Sequence, residues 1–84
     1  MIHQVSSMNV NVRLYAELAR SVAGGKRQIS VELPGGSSVE DLLLRLAVPA
    51  EPLVIVGRNG SLAERGTVLA DGDVLELMTQ MEGG

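Results

Sequence analysis

From residue 9 to residue 14 polar and apolar side chains alternate without a break: Val10, Val12 and Leu14 interleave with Asn9, Asn11 and Arg13. A two-residue period belongs to a strand with one buried face, so this stretch predicts a first strand. The alternation returns with Ile29, Val31 and Leu33 set against Gln28, Ser30 and Glu32, and it stops at Pro34. Between the two lies "YAELARSVAGG", where Leu18 and Val22 stand four apart ahead of Gly24 and Gly25. That spacing, closed by glycine, predicts a short helix or helical turn.

The period then changes. In "SSVEDLLLRLAVP", Val39, Leu42, Leu43 and Leu46 fall at i, i+3, i+4 and i+7, an apolar stripe along one side of a helix. Ser38 is placed to cap the first turn, Asp41 to reach back to it, and Pro49 to close the helix. "LVIV" at 53–56 is apolar on both faces and reads as a central strand, covered from two sides or by a partner on one. "GRNG" and "DGD" read as turns, with an irregular connection between them anchored by Leu62, Val68 and Leu69.

In the last periodic segment, "VLELM", Leu75 and Leu77 face inward while Val74, Glu76 and Met78 face outward. The outward face is therefore partly apolar. With the adaptable side chain of Met81 just beyond, Val74, Met78 and Met81 form a candidate docking surface. One main helix cannot cover both faces of a sheet of four strands, so the order of elements predicts an α+β layer pair with one face of the sheet open.

Composition narrows the class. Eighty-four residues make one domain, and with no cysteine and one histidine, His3, neither disulfides nor structural zinc can staple it. Tyr15 is the one aromatic residue, which leaves the core to aliphatic side chains. Residues 1–7 show no period and read as a flexible extension, residues 8–79 as the domain, and residues 80–84 as a flexible tail ending in Gly-Gly. The apolar runs fall far short of the roughly 20 residues that span a bilayer. The opening has no signal-like pattern, and together with the lack of cysteine this predicts a cytoplasmic protein with no membrane partner.

A net charge of −3 and a near absence of aromatics argue against nucleic-acid binding. From residue 71 onward there are Asp71, Asp73, Glu76 and Glu82 and no lysine or arginine. These acids read either as turn and solvated-strand residues or as a negative arm steered into a basic pocket on a partner.

Conventional catalysis is poorly supplied. Ser21, Ser37 and Ser38 lack a base to activate them, and Ser37 and Ser38 read as helix caps. Asp71 and Asp73 flank a glycine without the further oxygen ligands of a calcium loop. The glycine pairs lack the lysine and hydroxyl of a phosphate loop. No catalytic residue, metal site or bound cofactor is expected, which returns attention to "MTQMEGG". A partner enzyme using ATP can convert a terminal carboxylate to an acyl adenylate. Glycine suits that chemistry because no side chain obstructs a narrow channel or the attack on the carbonyl.

Together, "VRLYAELAR", "SSVEDLLLRL", "LVIVGRNG", "LADGDVLELM" and the terminal "GG" resemble the ubiquitin-like sulfur-carrier proteins of molybdopterin and thiamin synthesis, over about residues 8–84. The resemblance implies a β-grasp fold, a mixed four- to five-stranded sheet packed on one main helix. It also implies that the Gly84 carboxylate is adenylated by an E1-like enzyme, exchanged for a thiocarboxylate with sulfur from a donor, and presented to a sulfur-accepting enzyme such as a large synthase subunit. Gly83 and Glu82 would thread the partner's channel, and Val74, Met78 and Met81 would pack on it. The chain would be a carrier and no enzyme, with ATP used by its partner. "VGRNG" departs from the compact "VNG" common in the family, and "TQME" stands where molybdopterin-type tails commonly carry prolines. "LYAELAR" favours the molybdopterin type, and the short segment after the helix is nearer the thiamin type. The molybdopterin reading leads; a carrier for thiamin or another sulfur-transfer pathway, a ubiquitin-like modifier joined to lysine amines, and a plain interaction module are the alternatives.

Overall fold

The computed structural model describes residues 7–49 and 53–79. In chain order they form β1 (Ser7–Leu14), α1 (Glu17–Ala23), β2 (Gln28–Pro34), α2 (Val39–Arg45), β3 (Val54–Arg58), β4 (Ser61–Leu62) and β5 (Val74–Thr79). The strands make one mixed sheet in the order β2-β1-β5-β3-β4. β1 runs antiparallel to β2 and parallel to β5, and β3 is antiparallel to both β5 and β4.

Register shows why the alternation matters. Val10 lies opposite Val31, Val12 opposite Leu75, and Leu14 and Val56 both opposite Leu77. Directly paired residues share a face, so one side of the sheet is a continuous aliphatic surface. The helices close over it: α2 contributes Val39, Leu42 and Leu43, and α1 contributes Leu18 and Ala19.

α2 begins as the sequence predicts. The Ser38 hydroxyl accepts from the Asp41 amide at 3.3 Å while Asp41 Oδ2 accepts from the Ser38 amide at 2.9 Å, a reciprocal capping box. Ser37 is no helix cap. It is buried, and its hydroxyl donates to the Pro34 carbonyl at 2.7 Å. Nor does Pro49 end the helix. Val48 N–H donates to Leu43 O and Ala47 N–H to Leu44 O, closing α2 at Arg45 with Ala47 at φ 57, a left-handed position usually held by glycine.

One further expectation is narrowed and another corrected. β5 is the middle strand, and β3, which carries most of "LVIV", is interior as expected, paired with β5 and with the two-residue edge strand β4. Val54 and Val56 enter the core; Leu53 is exposed and Ile55 is half-buried on the opposite side. Apolarity on both sides of β3 thus marks an uncovered apolar face. In the connection after β4, Leu69 is the buried anchor, whereas Leu62 is 81% and Val68 58% exposed. Leu62 lies in the edge hairpin, whose turn residues Asn59 and Gly60 sit at φ 49 and 92, the type that joins two antiparallel strands in two residues. Val68 is held by the backbone, in a bridge to Ser38.

Candidate functional site

β5 leads to the tail, so the candidate site begins with its outward residues. Leu75 and Leu77 are fully buried, and Val74, Glu76 and Met78 face away from the helices, half-buried on the open side. Met78 lies opposite Ile55, and Glu76 lies between Gly57 and Arg13. A Cβ on Gly57 would stand 3.4 Å from Glu76 Oε1, ordinary van der Waals contact, so the carboxylate lies close across this slim position.

The open face has two halves. Across β2 and β1 it presents Gln28, Ser30, Glu32, Asn9, Asn11 and Arg13, all polar. Across β5, β3 and β4 it presents Val74, Met78, Ile55 and Leu62, apolar apart from Glu76. Glu76 marks the seam: its carboxylate lies 3.8 Å from the Arg13 guanidinium and accepts from the Tyr15 hydroxyl at 3.3 Å. The structure thus sets Met78 against Ile55 and places Leu62 and, beyond Glu76, Val74 on the same face, Ile55 and Leu62 not being named as site residues from sequence. Alternation within "LVIV" carried a signal for Ile55, but the pairing of Gly57 with Leu62 is not readable from it. Met81, Glu82, Gly83 and Gly84 lie outside the described residues.

The acids ahead of β5 are engaged inside the protein. Asp73 is 6% exposed and accepts from Ala70 N–H at 2.8 Å, Arg58 Nε at 2.7 Å and Asn59 Nδ2 at 3.0 Å. Asn59 Oδ1 in turn accepts from Val74 N–H at 2.9 Å. Burial on its own would raise the Asp73 pKa; the Ala70 amide, Arg58 and Asn59 outweigh it and hold the carboxyl below its ordinary value. Asp71 Oδ1 accepts from Asn9 N–H at 2.8 Å. "GRNG" and "DGD", read separately as turns, are one cross-linked unit. The negative-arm reading therefore fails for Asp73, which is buried and paired with Arg58, while Asp71 is an exposed turn residue that ties its turn to β1.

Among the described residues no group of His, Cys, Asp and Glu is arranged to hold a metal ion, and no helix is long and apolar enough to cross a membrane.

The ThiS family profile matches residues 12–84. The crystal structure of SAMP1 from Haloferax volcanii is similar at 31% identity and a TM-score of 0.75, covering 90% of this chain and 99% of that one. The putative molybdopterin converting factor subunit 1 from Pyrococcus furiosus is similar at 25% identity and a TM-score of 0.72, covering 88% and 99%. The thiamine biosynthesis protein ThiS from Geobacter metallireducens is similar at 28% identity and a TM-score of 0.56, again covering 88% and 99%. No curated protein sequence matches. The five-stranded mixed sheet with its packed helix is the ubiquitin-like β-grasp that the resemblance implied. With the profile running from the middle of β1 through Gly84, the chain belongs to the ThiS family, whose members are small carrier proteins and not catalysts.

Proposed function

We propose that this protein is a sulfur carrier that acts through its Gly84 carboxylate. On a partner enzyme that carboxylate attacks the α-phosphate of ATP, forming an acyl adenylate with release of pyrophosphate. A sulfur donor then displaces AMP, leaving a thiocarboxylate whose soft, nucleophilic sulfur attacks an acceptor bound by a biosynthetic enzyme. The chain's part is to present the carboxylate. Five residues beyond Thr79 reach at most about 17 Å when extended, enough to enter a recessed site while the domain stays outside.

The observation that carries this reading is the placement of the apolar half of the open face. Val74, Met78, Ile55 and Leu62 lie on and beside the strand that ends at the tail, so a surface packed there aligns the tail with a channel. Fixing both at once converts delivery of the carboxylate into an intramolecular step. Met81 would extend this docking surface, and Glu82 and Gly83 would pass through the channel.

Molybdopterin synthesis is the proposed destination, with a large synthase subunit as acceptor. The likeness to the Pyrococcus furiosus protein supports it, and a fold-sharing molybdopterin-converting factor from Helicobacter pylori is a complex of subunits 1 and 2. The family match and the Geobacter metallireducens protein support a thiamin carrier as the alternative within the same chemistry. A second reading, attachment of Gly84 to lysine amines, is favoured by the likeness to SAMP1, described as a small archaeal modifier protein.

Incubation with ATP, the adenylating enzyme of the same genome and a sulfur donor is expected to replace one terminal oxygen by sulfur in the intact mass. An unchanged mass alongside Gly84-dependent conjugates in cells would transfer the assignment to the modifier. The pathway is read by transferring the loaded sulfur to purified molybdopterin-type and thiamin-type acceptor enzymes.

A further inference from the structure

The chain carries a net charge of −3, yet four of its seven basic residues, Arg13, Arg20, Lys26 and Arg27, fall within residues 13–27 beside one acid, Glu17. The fold gathers them. Arg13 closes β1 opposite Gln28, the Arg27 carbonyl accepts from Leu14 N–H at 2.8 Å, and Arg20 stands in the last turn of α1. Arg13, Arg20 and Arg27 are among the residues that line a hollow of about 510 Å³, together with the buried Leu14 and Ala19 and with Tyr15 and Ala16. Ala16, at φ 51 and ψ −125, makes the sharp turn that sets α1 beside the end of β1. A side-chain-bearing residue held there costs on the order of 1 kcal/mol, strain that the surrounding structure maintains.

Two features decide what the hollow receives. Because β1 and β5 are parallel, both end at the same edge of the domain, and Tyr15 N–H donates to Leu77 O there at 3.1 Å. The hollow therefore flanks the point where the chain leaves Thr79. Second, two of the charges are unanswered: among the described residues the ion pairs are Arg13 with Glu76, Arg58 with Asp73 and Arg65 with Glu40, so Arg20 and Arg27 have no described carboxylate within 4 Å. Both are exposed. A small phosphorylated ligand is normally enclosed by its pocket over most of its surface. Guanidinium groups standing on an open rim suit charge pairing with a macromolecule, which steers its approach and fixes its register.

We propose that this arginine-lined hollow beside α1 docks a carboxylate-bearing loop at the mouth of the partner channel that receives the tail. The inference rests on the carrier reading and adds a second contact to it. Apolar packing on Met78 and Ile55 sets the distance of approach, and the arginine rim sets the rotation about the tail axis. Arg13, paired to Glu76 at the seam, joins the two contacts into one surface.

The test is the association rate of the full chain with its adenylating enzyme, measured at several salt concentrations for R20E/R27E and for a variant of the same charge change on other parts of the domain, S7E/S30E/R45E. The first variant is expected to slow association by about tenfold and to flatten its salt dependence, and the second to have a much smaller effect. R20Q/R27Q, with the same direction and a smaller loss, stands in should the reversed variant melt early. Titration of the isotope-labelled chain with hexaglutamate peptide is expected to move the amides of residues 13–20 and 25–28. Equal rates for the two variants overturn the proposal, as do amide shifts with inorganic phosphate or AMP but not with the peptide. Unchanged association of R20E/R27E, with acyl transfer still abolished by deleting Gly84, removes this contact and leaves the carrier reading standing. Full acyl transfer after that deletion removes the carrier reading itself.

Discussion

At its first residue β5 is held from three directions, by the Asn59 side chain on Val74 N–H, by Asp73 bonded to Ala70, Arg58 and Asn59, and by Asp71 tied to β1. At its last residue the neighbouring side chains are uncommitted: Met78 lies on an uncovered face, and Arg20 and Arg27 stand free of described carboxylates. Six residues separate a polar network closed on itself from a surface left open. The difference teaches where to look for function in a chain without a catalytic group. Charges answered inside the fold hold it together, and charges and apolar area left unanswered are what a partner can use.

The largest expected effect lies at the open end. Deleting Gly84 abolishes thiocarboxylate formation, read by intact mass, and leaves the melting temperature unchanged because the residue lies beyond β5. A large drop in melting temperature would break the comparison by tying the tail into the fold.

At the closed end, Asp73→Asn lowers stability by about 2–3 kcal/mol in urea unfolding, since it removes a nearly buried charge and leaves Arg58 without its partner. Arg58 is one-third exposed, which keeps the loss below that of a fully buried pair. The sign with pH follows from the depressed folded pKa. Asp73's contribution is complete above its ordinary value of 3.8 and is lost as pH falls through the lower folded value. An acid titration of stability is therefore steeper for the native chain than for Asp73→Asn below that point.

Met78→Glu sharpens the contrast. It weakens association with the adenylating enzyme by about tenfold, or about 1.4 kcal/mol, while unfolding free energy changes by less than about 0.5 kcal/mol. Ser30→Glu, on the polar half of the same face, leaves association unchanged. Equal effects at the two positions would erase the division of the open face. The smallest effect concerns strain: Ala16→Gly stabilises by about 0.5 kcal/mol, the relief at positive φ being partly offset by the freer unfolded chain.

Legibility in the sequence followed the range of the interactions. Ser38 and Asp41 are three residues apart and their capping box was readable, as was the stripe of Val39, Leu42 and Leu43. The pairing of Asp73 with Arg58 and Asn59 was not, because β3 and β5 must first lie side by side. The arginine hollow was hidden for the same reason: the pairing of Arg13 with Gln28 and of Leu14 N–H with the Arg27 carbonyl is what brings Arg13 and Arg27 to one end of the sheet. The outward facing of Val74 and Met78 was legible from alternation alone, whereas the placement of Ile55 and Leu62 on the same face came from strand pairing. "LVIV" left two readings open because apolarity on two faces looks the same in sequence whether or not the protein itself covers the second face; the structure leaves it uncovered.

By itself the sequence determined the local periods, the helix cap, the aliphatic core and the slender Gly-Gly end, since each depends on residue type or on neighbours within a few positions. Only the tertiary structure decided that β5 is the middle strand with β1 and β3 on either side, that Asp73 is answered while Arg20 and Arg27 are not, and that the apolar half of the open face borders the strand leading to the tail. Those outcomes depend on which distant strands pair, and in what register. Pairing is set by the total of side-chain burial against loop closure over the whole chain, a balance that no short window of residues contains.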